Sequence, residues 1–150
     1  MNGLRVACVA DLQRLRRLDE HCFDDSWSEA TWQQLLKDPR RYRCWLLETP
    51  AREAIAYLLF SRILDESELL RIGVCRDWRG QGLARQMLTA AQSWLEADGI
   101  RSFYLEVRDS NQGAQQLYRR CGWQCSGRRR NYYSDASGSE DALLFNRCLG

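Results

Sequence analysis

The sequence predicts a single α/β domain, in which a mixed, mostly antiparallel sheet of about six to seven strands is flanked by about four helices. Seven short apolar segments alternate with four segments of helical periodicity along the chain. Several neighbouring strands are separated by connections that are short enough for antiparallel hairpins. A chain of 150 residues is expected to bury roughly 68–70% of its unfolded surface on folding. One domain over residues 1–150 is therefore expected.

The first half of the chain is expected to place two helices before a group of three strands. Residues 4–9 resemble a short strand, and Asp11 is placed to cap the helix that follows. Ser28 is placed to cap a second helix, which should end before Pro39 because the residue preceding a proline avoids helical geometry. Three strands are then predicted over residues 42–48, 54–63 and 68–74.

The second half is expected to alternate helices and strands. Helical periodicity runs from Leu83 to about residue 97, and Gly99 follows where a left-handed cap is needed. A strand is predicted over residues 102–107, and Asn111 begins another helix that ends at Gly122. Residues 123–130 and 142–145 complete the strands. The polar residues 131–140 between them are expected to form a mobile or substrate-facing loop.

A glycine-rich turn, Arg79-Gly-Gln-Gly-Leu-Ala84, separates the strand over residues 68–74 from the next helix. Such a turn presents unpaired backbone N–H groups at the positive end of the helix dipole, which suits a phosphate. The spacing differs from the dinucleotide fingerprint and from the P-loop. A pyrophosphate on another cofactor is the favoured interpretation, and a tight strand-to-helix connection without a ligand is the alternative.

Charge and cysteine content exclude several classes of protein. The chain has 22 basic and 20 acidic residues, a net charge of +2, so it lacks the global positive field of a nucleic-acid binder. Its seven cysteines include no Cys-x-x-Cys pair, and His21 is the only histidine, so neither a metal site nor a disulfide framework is indicated. The sequence shows no signal peptide and no membrane-spanning stretch. We therefore expect a cytoplasmic protein with free thiols and without a membrane partner.

Several motifs occur together at a characteristic spacing. The Arg79-x-x-Gly82-x-Ala84 turn is followed by Leu105-Glu106-Val107-Arg108, then by Asn111-x-x-Ala114-x-x-Leu117-Tyr118 and by Gly122-Trp123. This set resembles the Gcn5-related N-acetyltransferase family over essentially the whole chain. Residues 21–32, 70–74, 129–133 and 140–142 are similar to the branch of that family that acetylates the N-terminal alanine of a ribosomal protein.

The resemblance implies that acetyl-CoA is the co-substrate and that no metal takes part. It implies a splayed pair of parallel strands that admits the pantetheine arm, lined by Ile72, Gly73 and Val74, with the Val74 amide polarising the thioester carbonyl. Asn111 is expected to contact the cofactor near the start of its helix, although a simple helix cap is also compatible with that position. The backbone amides of the turn would wrap the pyrophosphate, and the residues concerned are Arg79, Gly80, Gln81, Gly82, Leu83, Ala84 and Arg85.

Two side chains have the chemistry that acetyl transfer to an amine requires. An α-amine ordinarily has a pKa of about 7.7–8.0 and is mostly protonated at neutral pH, so a base must remove its proton before it attacks a thioester. Glu106, at the end of a predicted strand, is the candidate base, and an ordinary exposed carboxylate is the alternative. Tyr118 is the candidate acid for the departing thiolate, and simple packing against the sheet is its alternative. Cys121 has no obvious base beside it, so direct attack is favoured over an acyl-enzyme.

The resemblance also implies a peptide groove for the N-terminus of a small-subunit ribosomal protein. Trp27 would form one side, and Tyr132 and Tyr133 the other, although these aromatic residues could equally belong to the core. Acidic residues could meet a basic tail, namely Asp24, Asp25, Glu68, Glu140 and Asp141. The family often has Pro where this chain has Ser26, and Asp-Pro or His-Pro where it has Cys75-Arg76.

Three other functions remain open from the sequence. The same cofactor machinery would serve an acetyltransferase for lysine or for a small-molecule amine. A non-catalytic acyl-CoA-binding protein would bind the cofactor without turnover. A nucleic-acid module built on the arginines at 128–130 is a weaker alternative, because the charge balance of the chain is nearly neutral.

Overall fold

A computed structural model describes residues 1–149 and shows one seven-stranded sheet with four α-helices. The strand order is β1-β2-β3-β4-β5-β7-β6, and only β4 and β5 pair in parallel. This arrangement confirms the predicted mixed, mostly antiparallel α/β fold. The strands are β1 (Leu4–Val6), β2 (Tyr42–Glu48), β3 (Ala54–Ile63), β4 (Glu66–Val74), β5 (Ser102–Arg108), β6 (Gln124–Asp135) and β7 (Gly138–Cys148). The helices are α1 (Leu12–Cys22), α2 (Glu29–Leu36), α3 (Leu83–Ala97) and α4 (Gln112–Arg120).

The two parallel strands separate after a short stretch of pairing. β4 and β5 are paired only over three positions, from Glu66 opposite Ser102 to Glu68 opposite Tyr104. Beyond that point β4 stays bonded to β3, while β5 stays bonded to β7 as far as Arg108. The expected splayed pair is therefore present, and a wedge opens between β4 and β5 toward their carboxyl ends.

Helices cover both faces of the sheet, which explains why β3 is apolar over nearly its whole length. On one face, Leu58 and Phe60 of β3 belong to a core shared with α3 and α4. On the other face, Tyr57 and Leu59 belong to a core shared with α1 and α2. Trp32 of α2 is fully buried in this second core. Among the described residues, no helix is both long and apolar enough to cross a membrane.

The helix boundaries follow the predicted caps in most cases. The Ser28 hydroxyl accepts a hydrogen bond from the Thr31 N–H at 3.2 Å, at the start of α2. Gly99 and Gly122 adopt φ angles of 99° and 88° after α3 and α4, as left-handed caps require. Asp11 precedes α1 but makes no side-chain cap there. Its carboxylate is bound instead by the guanidinium of Arg5, at 2.7 and 2.9 Å.

The predicted loop over residues 131–140 was wrong. β6 and β7 form one long hairpin in which Tyr133 is opposite Glu140 and Asp135 is opposite Gly138. The register shifts between Arg129 and Tyr133, and Asn131 has a positive φ of 53° there. The strand was missed because this part of β6 is largely exposed and therefore lacks the alternation of apolar and polar residues that indicates a strand. The predicted first strand was too long, since β1 ends at Val6.

Candidate functional site

The glycine-rich turn lies where β4 ends and α3 begins. Gly80 and Gly82 have φ angles of 79° and 78°, in the left-handed region that favours glycine. A Cβ added to Gly80 would meet nothing within 4 Å, so backbone conformation rather than space requires glycine there. Gly82 is the N-cap of α3, where the first N–H groups have no partner within the helix. The turn is therefore suited to hold an anion.

A hollow of about 310 Å³ adjoins this turn, and α4 forms its opposite wall. Three arginines line it: Arg79, Arg85 and Arg120. The Arg79 Nε–H donates a hydrogen bond to the Val74 carbonyl at 2.8 Å, which ties the turn to the end of β4. The positive lining and the helix N-terminus together match a ligand that carries several phosphate charges.

Some of the predicted cofactor residues line this hollow and others do not. Gln81 and Asn111 lie outside its lining. The Asn111 side chain accepts a hydrogen bond from the Ala114 N–H at 3.1 Å, as a cap of α4. For both residues, cofactor contact stays a prediction. The lining includes Val74, Arg79, Gly80, Gly82, Leu83, Ala84 and Arg85.

One wall of the hollow was missed by the sequence analysis. α4 contributes Gly113, Gln116, Leu117 and Arg120. These positions follow the pattern i, i+3, i+4, i+7 and therefore share one helical face. That periodicity is the signal in the sequence that could have identified them.

The other predicted cofactor residues lie on β4 along the wedge. Ile72 and Val74 are partly buried against the core below α3. A Cβ added to Gly73 would lie 2.8 Å from Cε1 of Tyr57 and 3.1 Å from Sγ of Cys22, so space requires glycine at this position. Because Val74 belongs both to β4 and to the lining of the hollow, the wedge and the glycine-rich turn form one continuous surface.

Glu106 lies on β5 beyond the last parallel pair, on the face opposite Leu105 and Val107. It lines a second hollow of about 430 Å³ together with Glu68 and Arg129. An oxygen of its carboxylate lies 3.4 Å from Nη2 of Arg129. Burial, and then the negative charge of Glu106, raise the pKa of Glu68. Three carboxylates, those of Glu66, Glu68 and Glu106, therefore share this hollow with one guanidinium.

Tyr118 is buried in the core on the other face of the sheet, below α4. Its side chain packs against Trp123 and Phe145, each with ring centroids 6.0 Å away. Burial raises the pKa of the Tyr118 phenol well above its usual range, and the neighbouring Tyr133 adds to the effect. The alternative interpretation, a packing role, therefore describes the ring correctly. Glu106 projects from the opposite face of the sheet, so the two candidate catalytic groups do not share one hollow, and their joint role stays a prediction.

A third hollow, of about 850 Å³, lies between the α1–α2 loop and the β6–β7 hairpin. Its lining has four carboxylates and one guanidinium, from Asp24, Asp25, Asp135, Glu140 and Arg108. Of the five acidic residues expected to meet a basic tail, Asp24, Asp25 and Glu140 lie here, and Asp135 was not foreseen. This acidic groove has the largest volume of the three hollows described, and its carboxylates suit a basic peptide.

The aromatic residues predicted for the peptide site occupy different environments. Tyr132 is 49% exposed, and its pKa is raised by side-chain contact with Glu106 and by the charge of that carboxylate. Tyr133 is partly buried below the guanidinium of Arg108, 4.3 Å from the ring centroid. Trp27 lies outside the lining of the acidic groove and packs on Trp32, with ring centroids 5.2 Å apart. All three belong to the two elements that enclose the groove.

Comparison with known proteins gives consistent results. The family described as Acetyltransferase (GNAT) family matches residues 12–123. The ribosomal protein bS18-alanine N-acetyltransferase of Salmonella typhimurium is 33% identical over 144 residues, which cover 96% of this chain and 95% of that protein. The same enzyme from Escherichia coli strain K12 has the same identity and coverage.

Solved structures match over nearly the whole chain. The crystal structure of the ribosomal-protein-S18-alanine N-acetyltransferase from Escherichia coli has a TM-score of 0.90 and 31% identity, and the match covers 100% of this chain and 95% of that chain. Arabidopsis thaliana NAA60 in complex with acetyl-CoA has a TM-score of 0.87 at 19% identity, covering 97% of each chain. The second similarity concerns the fold alone.

Proposed function

Because this chain belongs to the GNAT acetyltransferase family, we propose that it moves the acetyl group of acetyl-CoA to the N-terminal alanine of ribosomal protein bS18. One observation carries the proposal. The wedge between β4 and β5 meets an arginine-lined hollow at the glycine-rich turn, and an acidic groove lies between the α1–α2 loop and the β6–β7 hairpin. The 33% identity to enzymes named for that reaction supports this choice of acceptor.

The glycine-rich turn and β4 hold the cofactor in this proposal. The backbone N–H groups from Arg79 to Arg85 bind the pyrophosphate at the start of α3. Ile72, Gly73 and Val74 line the pantetheine arm along the free edge of β4, because β5 no longer pairs with β4 there. The Val74 N–H donates to the thioester carbonyl and stabilises the negative charge that develops on its oxygen.

Glu106 acts as the base. Its carboxylate accepts a proton from the ammonium group of the acceptor, directly or through one water molecule, and the free amine then attacks the thioester carbon. The guanidinium of Arg129 lies 3.4 Å from this carboxylate. Glu68 in the same hollow adds a second negative charge toward the ammonium.

Tyr118 serves the leaving group. The C–N bond forms, the C–S bond breaks, and the CoA sulfur leaves as a thiolate. The nitrogen releases a second proton as it becomes an amide, which balances the proton that the thiolate takes up. Burial raises the pKa of Tyr118, so its phenol remains protonated at neutral pH and can donate a hydrogen bond to the sulfur. The same shift makes the phenol a weaker acid, which favours stabilisation of the thiolate by a hydrogen bond over complete proton transfer.

The acidic groove selects the acceptor. Its carboxylates, on Asp24, Asp25, Asp135 and Glu140, attract a peptide with basic residues after the N-terminal alanine. Tyr132 and Tyr133 lie on the hairpin side of this groove, and the segment that contains Trp27 lies on the other side.

A peptide panel tests the proposal. The protein is incubated with acetyl-CoA and with three peptides: the bS18 N-terminus with a free alanine, the same peptide with a blocked N-terminus, and a blocked peptide with an internal lysine. Mass gain on the first peptide alone is expected. Acetylation of the lysine peptide would contradict the choice of acceptor, and cofactor binding without any product would contradict an enzymatic role.

The same panel tests Glu106. The Glu106→Gln variant is expected to acetylate the free-alanine peptide much more slowly than wild type, because the amide cannot accept the proton. Glu20→Gln, a change at an exposed carboxylate on α1, is the matched control and is expected to keep the wild-type rate. Equal rates for both variants would exclude Glu106 as the base.

A further inference from the structure

The α1–α2 loop, which forms one side of the acidic groove, is held by a buried carboxylate. Asp19 of α1 is fully buried and accepts hydrogen bonds from four groups. The Trp27 N–H donates at 2.7 Å and the Trp32 indole N–H at 3.3 Å, so one carboxylate fixes both the loop and α2. The Tyr57 hydroxyl donates at 2.6 Å and Nη1 of Arg71 at 2.7 Å. This carboxylate therefore connects the loop to two neighbouring strands.

Arg71 reaches the same loop from β4. Its guanidinium carbon lies 4.4 Å from the ring centroid of Phe23 and 4.2 Å from that of Trp27. Nη2 also donates to the Asp25 carbonyl at 3.3 Å and lies 3.5 Å from the Asp25 carboxylate. The Arg71 side chain is only 9% exposed. One side chain thus contacts three residues of the loop in addition to Asp19.

Arg71 lies between the two surfaces of the site, the wedge beside β4 and the acidic groove. Residues 72–74, which line the wedge, follow it directly on β4. The loop that it holds contributes Phe23, Asp24 and Asp25 to the acidic groove. A guanidinium suits this place because its flat face stacks on aromatic rings while its edge binds carboxylates, whereas a lysine ammonium is a point charge that cannot do both.

We propose that Arg71 is a positioning residue that fixes the α1–α2 loop as one wall of the acceptor groove. This inference rests on the proposed function, since it assumes that the acidic groove binds the acceptor peptide. Arg71 determines how tightly the peptide binds, while acetyl-CoA binding depends on the glycine-rich turn and the edge of β4.

The test compares Arg71→Lys with Arg71→Gln. The lysine variant keeps a positive charge beside Asp19 but loses the stacking on Phe23 and Trp27. Its KM for the bS18 peptide is expected to rise roughly tenfold, the scale of one lost charged hydrogen bond. Its kcat and its Kd for acetyl-CoA are expected to stay near wild type. Arg71→Gln should raise the KM for the bS18 peptide further. If Arg71→Gln fails to fold, the KM of the lysine variant alone decides whether Arg71 positions the loop.

Hydrogen exchange gives a second readout that needs no acceptor. The Trp27 amide is expected to exchange faster in both Arg71 variants, because the loop opens more often. Arg62→Gln is the matched control: this arginine lies on the neighbouring strand β3 and faces Asp98 at 3.5 Å. The KM of Arg62→Gln for the bS18 peptide and the exchange rate of its Trp27 amide are expected to match those of wild type.

The outcomes separate this inference from the proposed function. An unchanged KM with unchanged exchange in the lysine variant would overturn the role of Arg71. An equal loss of peptide and acetyl-CoA binding would also overturn it, since that pattern indicates general damage to the structure. Wild-type protein that acetylates no peptide would overturn the proposed function, and the exchange rates would still decide whether Arg71 holds the loop.

Discussion

Replacing Tyr118 by Phe removes one oxygen atom and leaves the packing of the ring in place. The ring lies in the core between Trp123 and Phe145 and is 6% exposed. Within residues 1–149 the hydroxyl has no hydrogen-bond partner, so its loss should change the free energy of unfolding by less than about 1 kcal/mol. By contrast, Tyr118→Ala removes the whole ring, and about 3–5 kcal/mol is typical for the loss of a buried aromatic side chain.

The effect of Tyr118→Phe on the reaction should be much larger than its effect on stability. A positioned proton donor contributes about 10²- to 10⁴-fold to the rate, and the raised pKa of Tyr118 points to the lower end of that range. A hundredfold loss of kcat corresponds to about 2.7 kcal/mol in the activation free energy.

The assay follows release of the CoA thiol at saturating peptide and acetyl-CoA, with thermal unfolding measured on the same samples. Tyr42→Phe on β2 is the matched control, because Tyr42 lines none of the three hollows, and its kcat should equal that of wild type. If Tyr118→Phe has a kcat within twofold of wild type, the phenol takes no part in the chemistry and its role is packing alone.

Three further predictions concern stability. Arg5 lowers the pKa of Asp11 from 3.8 to about 2, so the ion pair stabilises the folded state above pH 4 by roughly 2 kcal/mol and this contribution is lost as the pH falls toward 2. The free energy of unfolding of Asp11→Asn, measured in urea, should lack that pH dependence. If it changes with pH as steeply as that of wild type, the Arg5–Asp11 ion pair is not its source. Gly73→Ala would place a Cβ 2.8 Å from the Tyr57 ring and should lower stability by about 1–3 kcal/mol; an unchanged Tm would refute this. The pKa of Glu68 is raised by burial and by Glu106, so its ionisation destabilises the folded state as the pH rises above 4.5. Glu68→Gln should therefore be at least as stable as wild type in urea at pH 7, and a clear loss of stability would contradict the prediction.

Much of the fold follows from local patterns in the sequence. Ser28 and Gly99 mark helix boundaries through caps that depend only on neighbouring residues, and the structure has both. The β6–β7 hairpin could be predicted only in part. Residues 123–130 and 142–145 are predicted as strands, but β6 continues to Ser134 and Asp135, which are exposed and paired with β7. Pairing with β7 rather than an apolar pattern makes this extension a strand.

The site could be predicted only in part, because several of its features depend on contacts between distant residues. The glycine-rich turn is local, and its conformation at Gly80 and Gly82 was foreseeable. The pair between Asp19 and Arg71 joins residues 52 positions apart, and no pattern in the sequence indicates it. Sequence spacing likewise does not show that Glu106 and Tyr118 belong to opposite faces of the sheet. That relation follows because Tyr118 packs in the core with Leu105 and Val107, whereas Glu106 between them projects from the other face.

The central claim is that the acidic groove presents an N-terminal α-amine, rather than a lysine side chain, to acetyl-CoA. Intact bS18 with a free N-terminal alanine, incubated with the protein and acetyl-CoA, offers both kinds of amine at once. Fragmentation of the product in a mass spectrometer locates the acetyl group on a single nitrogen. The account predicts acetylation at the N-terminal alanine and unmodified lysines. Acetyl groups found on lysine side chains, with the N-terminus free, would contradict it.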